Sequence, residues 1–133
     1  MRPVVAILLL AVSGGAVQAQ AVAPAPAGGV FGSPFRFTET TGASIYQSVC
    51  AGCHMAEGRG AVGAGAYPAL AHDPRLAVAP YPIALVLHGQ RAMPPFARYL
   101  SDQQVADVVG FIRRNFGNEY PEPISAQDVA AVR

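Results

Sequence analysis

The amino-acid sequence predicts an all-α domain with three main helices joined by loops. Helical spacing of apolar residues and a lack of strand-like alternation support this class. The clearest helix starts at Ser101, which can form a capping box with Gln104. Its apolar positions, spaced at i, i+3, i+4, i+7 and i+11, are Val105, Val108, Val109, Ile112 and Phe116. Gly117 is predicted to end this helix at C′.

A second helix is predicted to begin near residue 40 and to run into the cysteine-containing segment 50–54. Thr40 or Thr41 can serve as its N-cap, because a threonine hydroxyl accepts a hydrogen bond from the first turn. Gly42 is a poor helix former in that first turn. Its presence is explained if the C-terminal helix approaches closely there, since only a missing side chain allows such a contact.

Two shorter helices complete the predicted secondary structure. One runs from Pro82 to His88, with proline in its first turn and Gly89 after its last residue. The other is a short helix capped by Ser125 within the C-terminal tail, residues 119–133. The domain itself is predicted to span residues 39–118.

Residues Cys50 to His54 form the pattern C-x-x-C-H, which is typical of covalent haem attachment. Cys50 and Cys53 would form thioether bonds to haem c, and His54 would ligate its iron. Three other interpretations are weaker. A disulfide leaves the histidine without a role, a thioredoxin-like pair requires a βαβ unit, and a zinc site requires two further ligands nearby.

A sixth iron ligand can be sought among the remaining methionines and histidines, and water remains an alternative. The protein candidates are Met55, His72, His88 and Met93. Met55 adjoins the proximal histidine and should remain on that side of the ring. Met93 precedes two prolines, which hold the chain extended, so a rigid loop can present its thioether. Met93 is therefore the favoured ligand, with His88 as the first alternative.

The N-terminal residues have the pattern of a secretory signal peptide. Arg2 is followed by a short apolar run, 4–16, and small residues that permit cleavage after Ala19. The run is shorter than the roughly 20 residues that span a bilayer. Residues 1–19 are thus predicted to be removed, and residues 20–38 to form a linker or N-terminal extension. The mature protein is predicted to be periplasmic, without a membrane span.

The loop after the cysteine motif contains Gly58–Gly63, which matches the G-x-G-x-x-G dinucleotide fingerprint by letter. That fingerprint requires a strand before it and a helix after it within a βαβ unit. Neither is predicted here, so the glycines are interpreted as sites of tight turns.

The chain resembles the monohaem class I cytochromes c over roughly residues 42–117. The segments that carry the resemblance are Cys50–His54, Tyr67-Pro68-Ala69-Leu70, Met93-Pro94-Pro95-Phe96 and Phe111-Ile112-Arg113. The Gly-Arg-Gly loop, the Leu100-Ser101-Asp102 helix start and Phe116-Gly117-Asn118 are similar to small cytochromes that accept electrons from periplasmic dehydrogenases. Lysine is absent from the chain, so a lysine ring for docking is excluded.

The resemblance implies a class I cytochrome c fold around one covalent haem c. It implies that Gly42 and Tyr46 meet Phe111. It also implies that the Pro68 carbonyl accepts a hydrogen bond from the ring of His54, and that Leu70 packs on the haem face.

The predicted function is one-electron transfer without catalytic residues. Donor and acceptor would be redox proteins, namely a dehydrogenase and an oxidase or other cytochrome. The alternatives are a peroxidase-like haem enzyme, in which His88 or Arg91 would serve as the polar distal group, and a ligand-binding haem protein with a labile sixth ligand. Charge blocks are absent, so no nucleic-acid partner is predicted.

Docking is predicted to use apolar segments, because the charges balance. Without Arg2 there are eight arginines against eight acidic residues. The predicted docking segments are residues 61–67 on the proximal side and 93–96 on the distal side. The alternative recognition surface is Arg113 and Arg114, or the C-terminal tail.

Overall fold

A computed structural model describes residues 36–63 and 65–133, and these residues form helices joined by loops around one core. The elements in chain order are α1 Gly42–Ile45, a π-helical turn Tyr46–Cys50, α2 Ala51–His54, β1 Ala61–Val62, β2 Ala66–Tyr67, a 3-10 turn Pro74–Ala77, α3 Pro80–His88, α4 Asp102–Arg114 and α5 Ala126–Ala130. The predicted helical class is confirmed. Residues 1–35, which include the predicted signal peptide and most of the predicted linker, lie outside the described residues.

The first helical segment runs without interruption through α1, the π-helical turn and α2. Thr41 is its N-cap, and the Thr41 and Ser44 side chains form a reciprocal capping box. In the π-helical turn the Ala51 N–H donates to the Tyr46 carbonyl, a wider i to i+5 bond. The segment therefore carries the chain from Thr41 to His54 as one body, as the sequence predicted.

Helix α4 supplies much of the core, and its start agrees with the sequence. Ser101 is the N-cap and forms the predicted capping box with Gln104. The fully buried residues on its inner face are Val105, Val108 and Val109. Helix α1 contacts α4 at Gly42, where a Cβ would overlap the carbonyl of Asp107. The close approach inferred from a glycine in a helix is confirmed.

The end of α4 differs from the prediction that placed Gly117 at C′. The helix stops at Arg114, and Asn115 is the C-cap with an extended φ of −126°. Asn115 Nδ2 donates to the Phe111 carbonyl at 2.7 Å, which satisfies one of the last helical carbonyls. Phe116 then takes a positive φ of 60° and packs against Tyr46, with ring centroids 4.8 Å apart. Phe116 is therefore a core contact outside the helix.

Helix α3 and a short strand pair also refine the prediction. The helix begins at Pro80, two residues before the predicted start, and Gly89 follows it with φ 70°. Strands β1 and β2 pair antiparallel, with Ala61 opposite Tyr67 and Val62 opposite Ala66. Two residues per strand are too few to show alternation in the sequence.

The segment 119–133 belongs to the same core as the predicted domain 39–118. Helix α5 is capped by Ser125, as predicted; the structure adds a capping box with Asp128, and Val129 of this helix is fully buried. The start of this segment is attached to α4 by buried Arg113, whose Nη1 donates to the Glu122 carbonyl at 2.9 Å. A guanidinium with 2% exposure cannot form a recognition surface, so that alternative use of Arg113 is wrong.

The chain on the N-terminal side of α1 is also attached to the core. Gln104 Nε2 donates to the carbonyls of Phe37 and Glu39, each at 2.9 Å. The Phe37 ring meets Tyr99 edge-on, with centroids 6.4 Å apart. Across residues 36–63 and 65–133, none of the helices has both the length and the apolar character needed to cross a membrane.

The contact at Gly42 predicts opposite effects for two glycine-to-alanine changes in the same helical segment. Gly42→Ala should lower the free energy of unfolding by about 1–3 kcal/mol, because the new methyl must displace the backbone of α4. Gly52→Ala, where no described atom lies within 4 Å, should be neutral or add up to about 1 kcal/mol through helix propensity. Guanidinium unfolding followed by circular dichroism measures both. Equal effects would contradict the close approach.

Candidate functional site

His54 stands at the end of α2 with its ring almost completely buried, at 9% exposure. Its Nδ1 lies 2.9 Å from the carbonyl oxygen of Pro68. A carbonyl can only accept, so Nδ1 carries the proton and Nε2 keeps a free lone pair. The imidazole is therefore oriented as a metal ligand is, with one nitrogen held by the protein and the other available.

The two cysteines lie on the same helical segment with different exposure. Cys50 is half-buried and Cys53 is exposed, and both are free thiols. Burial, together with the neighbouring Cys53, raises the pKa of the Cys50 thiol to about 12. Cys50 therefore remains uncharged at neutral pH, as suits a side chain directed into an apolar space.

A cleft with two connected parts lies against these side chains. We call the wider part the outer cavity; it has a volume of about 250 Å³. Its lining comprises Val49, Cys50, Cys53, His54, Ala66, Tyr67, Pro68, Gln90, Arg91, Ala92, Met93, Pro94 and Phe96. We call the smaller part, of about 70 Å³ and lined mostly by apolar residues, the inner cavity. Cys50, His54 and Met93 line both parts, so the histidine and the methionine border the same cleft.

The inner cavity is mainly apolar. Its aliphatic and proline lining consists of Leu70, Leu76, Pro82, Leu85, Val86, Val109 and Ile112. Asp73, Arg75 and Tyr81 supply its polar edge. Arg75 donates from Nε and Nη2 to the Asp73 carboxylate at 2.8–3.2 Å, which lowers the pKa of Asp73 and keeps it ionised.

Met93 reaches the cleft from a loop that folds back over the end of α3. Gln90 and Met93 exchange two backbone hydrogen bonds of 3.1 and 3.0 Å, which closes a tight turn. Gly89 permits this path, because a Cβ there would overlap the carbonyl of Met93. The half-buried Met93 side chain lies against the core.

The loop after His54 carries the Pro68 carbonyl to the imidazole. The Gly60 N–H donates to the His54 carbonyl at 3.0 Å, and Gly60 has a φ of 66°. A Cβ at Gly60 would overlap the Tyr67 carbonyl and approach Pro68 C at 2.7 Å. The loop glycine is thus required for the close crossing near the histidine. Within residues 36–63 and 65–133, no βαβ unit surrounds this segment to support a dinucleotide site.

Tyr46 anchors the turn that follows the histidine. Its hydroxyl donates to the Met55 carbonyl at 2.7 Å, and its ring lies 5.7 Å from that of Phe111. Burial raises the pKa of Tyr46 to about 12, so the phenol keeps the proton that it donates.

The other candidate ligands lie outside the cleft. His88 is exposed, and its Nε2 lies 3.1 Å from the Val132 carbonyl. His72 is also exposed, with a φ of 51°, and lines neither part of the cleft. Within the described residues there is no group of three or more histidines, cysteines or carboxylates that could hold a metal ion, which leaves the zinc interpretation unsupported.

Sequence reasoning missed Arg75 and Tyr81, which the fold brings to the inner cavity from the 3-10 turn and α3. In the sequence, Asp73-Pro74 indicates a turn and nothing more. No local pattern indicates that residues of this turn line the same cavity as His54.

A larger groove, of about 450 Å³, lies between α1, α4 and residues 123–124. None of the six predicted site residues lines it. The chemistry-bearing side chains instead surround the apolar cleft. A histidine with a free Nε2, a thioether and a C-x-x-C pair on such a cleft form a donor set that fits haem c.

Comparison with known proteins places the chain among cytochromes. The family model described as cytochrome c oxidase, cbb3-type, subunit III matches residues 38–112. The chain is 38% identical over 107 residues to the gluconate 2-dehydrogenase cytochrome c subunit of Pantoea cypripedii, covering 70% of this chain and 24% of that protein.

Two further relatives are also named as cytochrome subunits. The alcohol dehydrogenase (quinone) cytochrome c subunit of Gluconacetobacter polyoxogenes is 39% identical, over 69% of this chain and 22% of that protein. The fructose dehydrogenase cytochrome subunit of Gluconobacter japonicus is 33% identical, over 72% and 23%. The chain thus spans about a quarter of the length of these relatives.

The crossing at Gly60 predicts a strong effect of one added methyl group. Gly60→Ala should cost about 2 kcal/mol or more, from left-handed backbone strain and overlap with the Tyr67–Pro68 backbone. Gly63→Ala in the same loop should stay within about 0.5 kcal/mol, because no described atom lies within 4 Å of the added carbon. Thermal unfolding distinguishes them. Matching melting temperatures would show that the loop relaxes without loss.

Proposed function

Because the chain belongs to the family of cbb3-type cytochrome c oxidase subunit III proteins, we propose that it binds one haem c and transfers single electrons. Thioether bonds from Cys50 and Cys53 hold the haem, and His54 and Met93 ligate its iron. The observation that carries this proposal is that Cys50, His54 and Met93 all line both parts of one cleft. Bound haem c supplies a one-electron couple, and the protein supplies its ligands and its apolar surroundings.

Each ligand has a defined task. The Pro68 carbonyl holds Nδ1–H of His54, which keeps the ring oriented and increases its basicity as a ligand. Met93 provides a soft thioether that favours the ferrous state and raises the reduction potential. With both positions occupied, small ligands are excluded, as an electron carrier requires.

The remaining contacts exclude water from the haem pocket. Leu70 lines the inner cavity, and its N–H and carbonyl are bound to Gly58 O and Asn118 Nδ2 at 2.7 and 2.8 Å. Asp73, Arg75 and Tyr81 form the polar edge, where the haem carboxylates would find the Tyr81 hydroxyl and the guanidinium of Arg75, whose charge is shared with Asp73. An apolar interior with one polar edge suits a flat cofactor that has its own carboxylates at one side.

The proposed role is that of a periplasmic carrier or redox subunit for a dehydrogenase. Three relatives are named as cytochrome subunits of gluconate, alcohol and fructose dehydrogenases, which supports a dehydrogenase as donor. An oxidase or another cytochrome would accept the electron. The chain itself would need no acid, base or nucleophile. Of the two distal groups that a haem enzyme could use, His88 is bound to Val132 away from the cleft, whereas Arg91 lines the outer cavity, so only Arg91 could serve that alternative.

Replacing Met93 tests the proposed ligation. Met93→Ala in the haem-loaded protein should abolish the weak far-red charge-transfer band of the ferric form, lower the potential, and let the ferrous form bind carbon monoxide. Removing the thioether opens the sixth position and destabilises the ferrous state. Absorption spectra and a redox titration measure all three. The matched control is Met55→Ala, which removes a thioether outside the cleft. Ready binding of carbon monoxide by the wild type would refute a saturated carrier.

Docking to redox partners is proposed to use the apolar edge of the outer cavity. Val62 is 93% exposed and Tyr67 39% exposed on the strand pair that borders this cavity. On the opposite side, Pro94 and Pro95 are exposed, whereas Phe96 is half-buried against the core. Phe96 therefore belongs to the pocket more than to the docking surface predicted from the sequence.

Charge contributes little to long-range attraction. The described residues contain eight arginines and eight carboxylates, and two haem propionates would make the balance mildly negative. Three arginines are already paired with carboxylates, at Asp73, Asp102 and Glu122. Strong electrostatic steering requires opposed charged patches.

Electron transfer should therefore depend weakly on salt and strongly on the exposed apolar edge. Between ~0.05 and ~0.3 M salt, where screening shortens to under 10 Å, the rate of reduction by the partner dehydrogenase should change less than about threefold. Val62→Asp should slow it far more than Val78→Asp, which adds the same charge at a valine that is 63% exposed and borders neither cavity. Stopped-flow absorbance measures each rate. A tenfold salt effect, or equal effects of both aspartates, would place recognition elsewhere.

A further inference from the structure

The loop that presents Met93 has two ends, and both lie close to the last residues of the chain. It leaves α3 after His88 and returns through Ala97 and Leu100 before α4 begins. On the returning side, the N–H groups of Phe96 and Ala97 donate to carbonyls of α3 at 2.9 and 3.2 Å. These bonds hold the returning chain against the last turns of α3.

Residues 132 and 133 contact both ends of this loop. The Val132 carbonyl lies 3.1 Å from Nε2 of His88, on the departing side. The Arg133 guanidinium donates to the carbonyls of Ala97 and Leu100 at 2.5 and 3.1 Å, on the returning side. Two consecutive residues thus join the chain before the loop to the chain after it.

The Arg133 contact is stronger than a single exposed ion pair. Its Nε also donates to Asp102 Oδ1 at 2.6 Å, so three nitrogens of one planar group have three different acceptors. The side chains of Arg133 and Asp102 are only 31% and 33% exposed. Charge-assisted bonds to two carbonyls and one carboxylate restrict the returning chain in direction as well as in distance.

We propose that residues 132–133 form a strap that positions the Met93 loop by joining its two ends, with Arg133 as the principal positioning residue. The inference rests on the proposed ligation by Met93. It adds a role for the C-terminal segment, which touches neither part of the cleft. While Val132 and Arg133 keep these hydrogen bonds, the two ends of the loop stay together, and Met93 is held at the cleft.

The loop needs this support because its tip has few contacts of its own. Gln90, Arg91, Ala92, Pro94 and Pro95 are all exposed. Arg91 takes a left-handed φ of 54°, a conformation that costs energy in a residue with a side chain. A strained, exposed turn opens easily unless its ends are held.

The strap is itself anchored to the core. Val129 is fully buried beneath it, and Val132 packs against the core from the edge. Arg113 holds the beginning of the same segment through the Glu122 carbonyl and carboxylate. Movement of the strap away from the loop is therefore opposed by two anchors, at Glu122 and Val129, in the segment that precedes it.

The test is the competition between Met93 and added imidazole for the ferric haem of the loaded protein. Loss of the far-red band on titration gives the imidazole Kd. Arg133→Ala should lower this Kd about tenfold, equivalent to about 1.4 kcal/mol, while helix content remains unchanged. His88→Ala, which releases only the departing end, should lower it by a smaller factor. Arg133→Lys should be intermediate, because an ammonium cannot reach three diverging acceptors in a plane.

Two controls separate positioning from general destabilisation. Arg98→Ala removes an exposed arginine of the same region whose side chain has no hydrogen bond to other described residues. Val108→Ala weakens the buried face of α4 without touching the loop or the cleft. Both should change the imidazole Kd less than twofold, although Val108→Ala lowers the melting temperature.

The outcomes distinguish this inference from the proposed ligation. A far-red band in the wild type together with an unchanged Kd in both Arg133→Ala and His88→Ala would overturn the strap alone. A Kd that follows the melting temperature across all variants, Val108→Ala included, would overturn it as well. Absence of the band in the wild type would overturn the ligation and the strap together.

Discussion

The hydrogen bond between the His54 ring and the Pro68 carbonyl is the contact on which the rest of the site depends. It uses Nδ1, so Nε2 alone remains for a ligand, and it sets the plane of the ring above the cleft. The carbonyl reaches that position only because the loop crosses at Gly60, where no side chain fits. The orientation of the imidazole thus depends on the close crossing of the loop at Gly60.

Polar side chains with low exposure connect parts of the chain that are distant in sequence. Asn118 receives a hydrogen bond from the Asp73 N–H and donates to the carbonyls of Leu70 and Ile112. Arg113 of α4 donates to two carbonyls of the 3-10 turn and to the Glu122 carbonyl of the C-terminal segment, and so connects these three parts. Buried polar groups must find partners, and here most of those partners are backbone carbonyls in loops, in the 3-10 turn and near the end of α4. The pocket walls are fixed in this way without a large sheet or long helices.

A pocket whose walls are held by buried polar side chains also explains how a small chain can surround a redox cofactor. Apolar residues make up most of the lining of the inner cavity, and the Arg113–Glu122 and Arg133–Asp102 ion pairs lie outside it. The cleft is bordered by a histidine and a thioether, and its outer cavity lies beside a strand pair with exposed apolar side chains. Iron would be enclosed by the protein, while partners approach the edge of the cofactor.

Features that depend only on residues close together in the chain could be predicted from the sequence. The N-cap candidates at Thr40 or Thr41, Ser101 and Ser125 predicted three helix starts, because a cap bonds within three residues of itself, and the structure places the caps at Thr41, Ser101 and Ser125. The spacing of Cys50 to His54 likewise places three groups on one helical turn. Tertiary structure decided where α4 ends and where the tail packs. Arg113 looked like a surface cation and is buried because carbonyls from two distant segments converge on it. Such convergence leaves no periodic signal in the chain, since each acceptor is a backbone atom that every residue possesses.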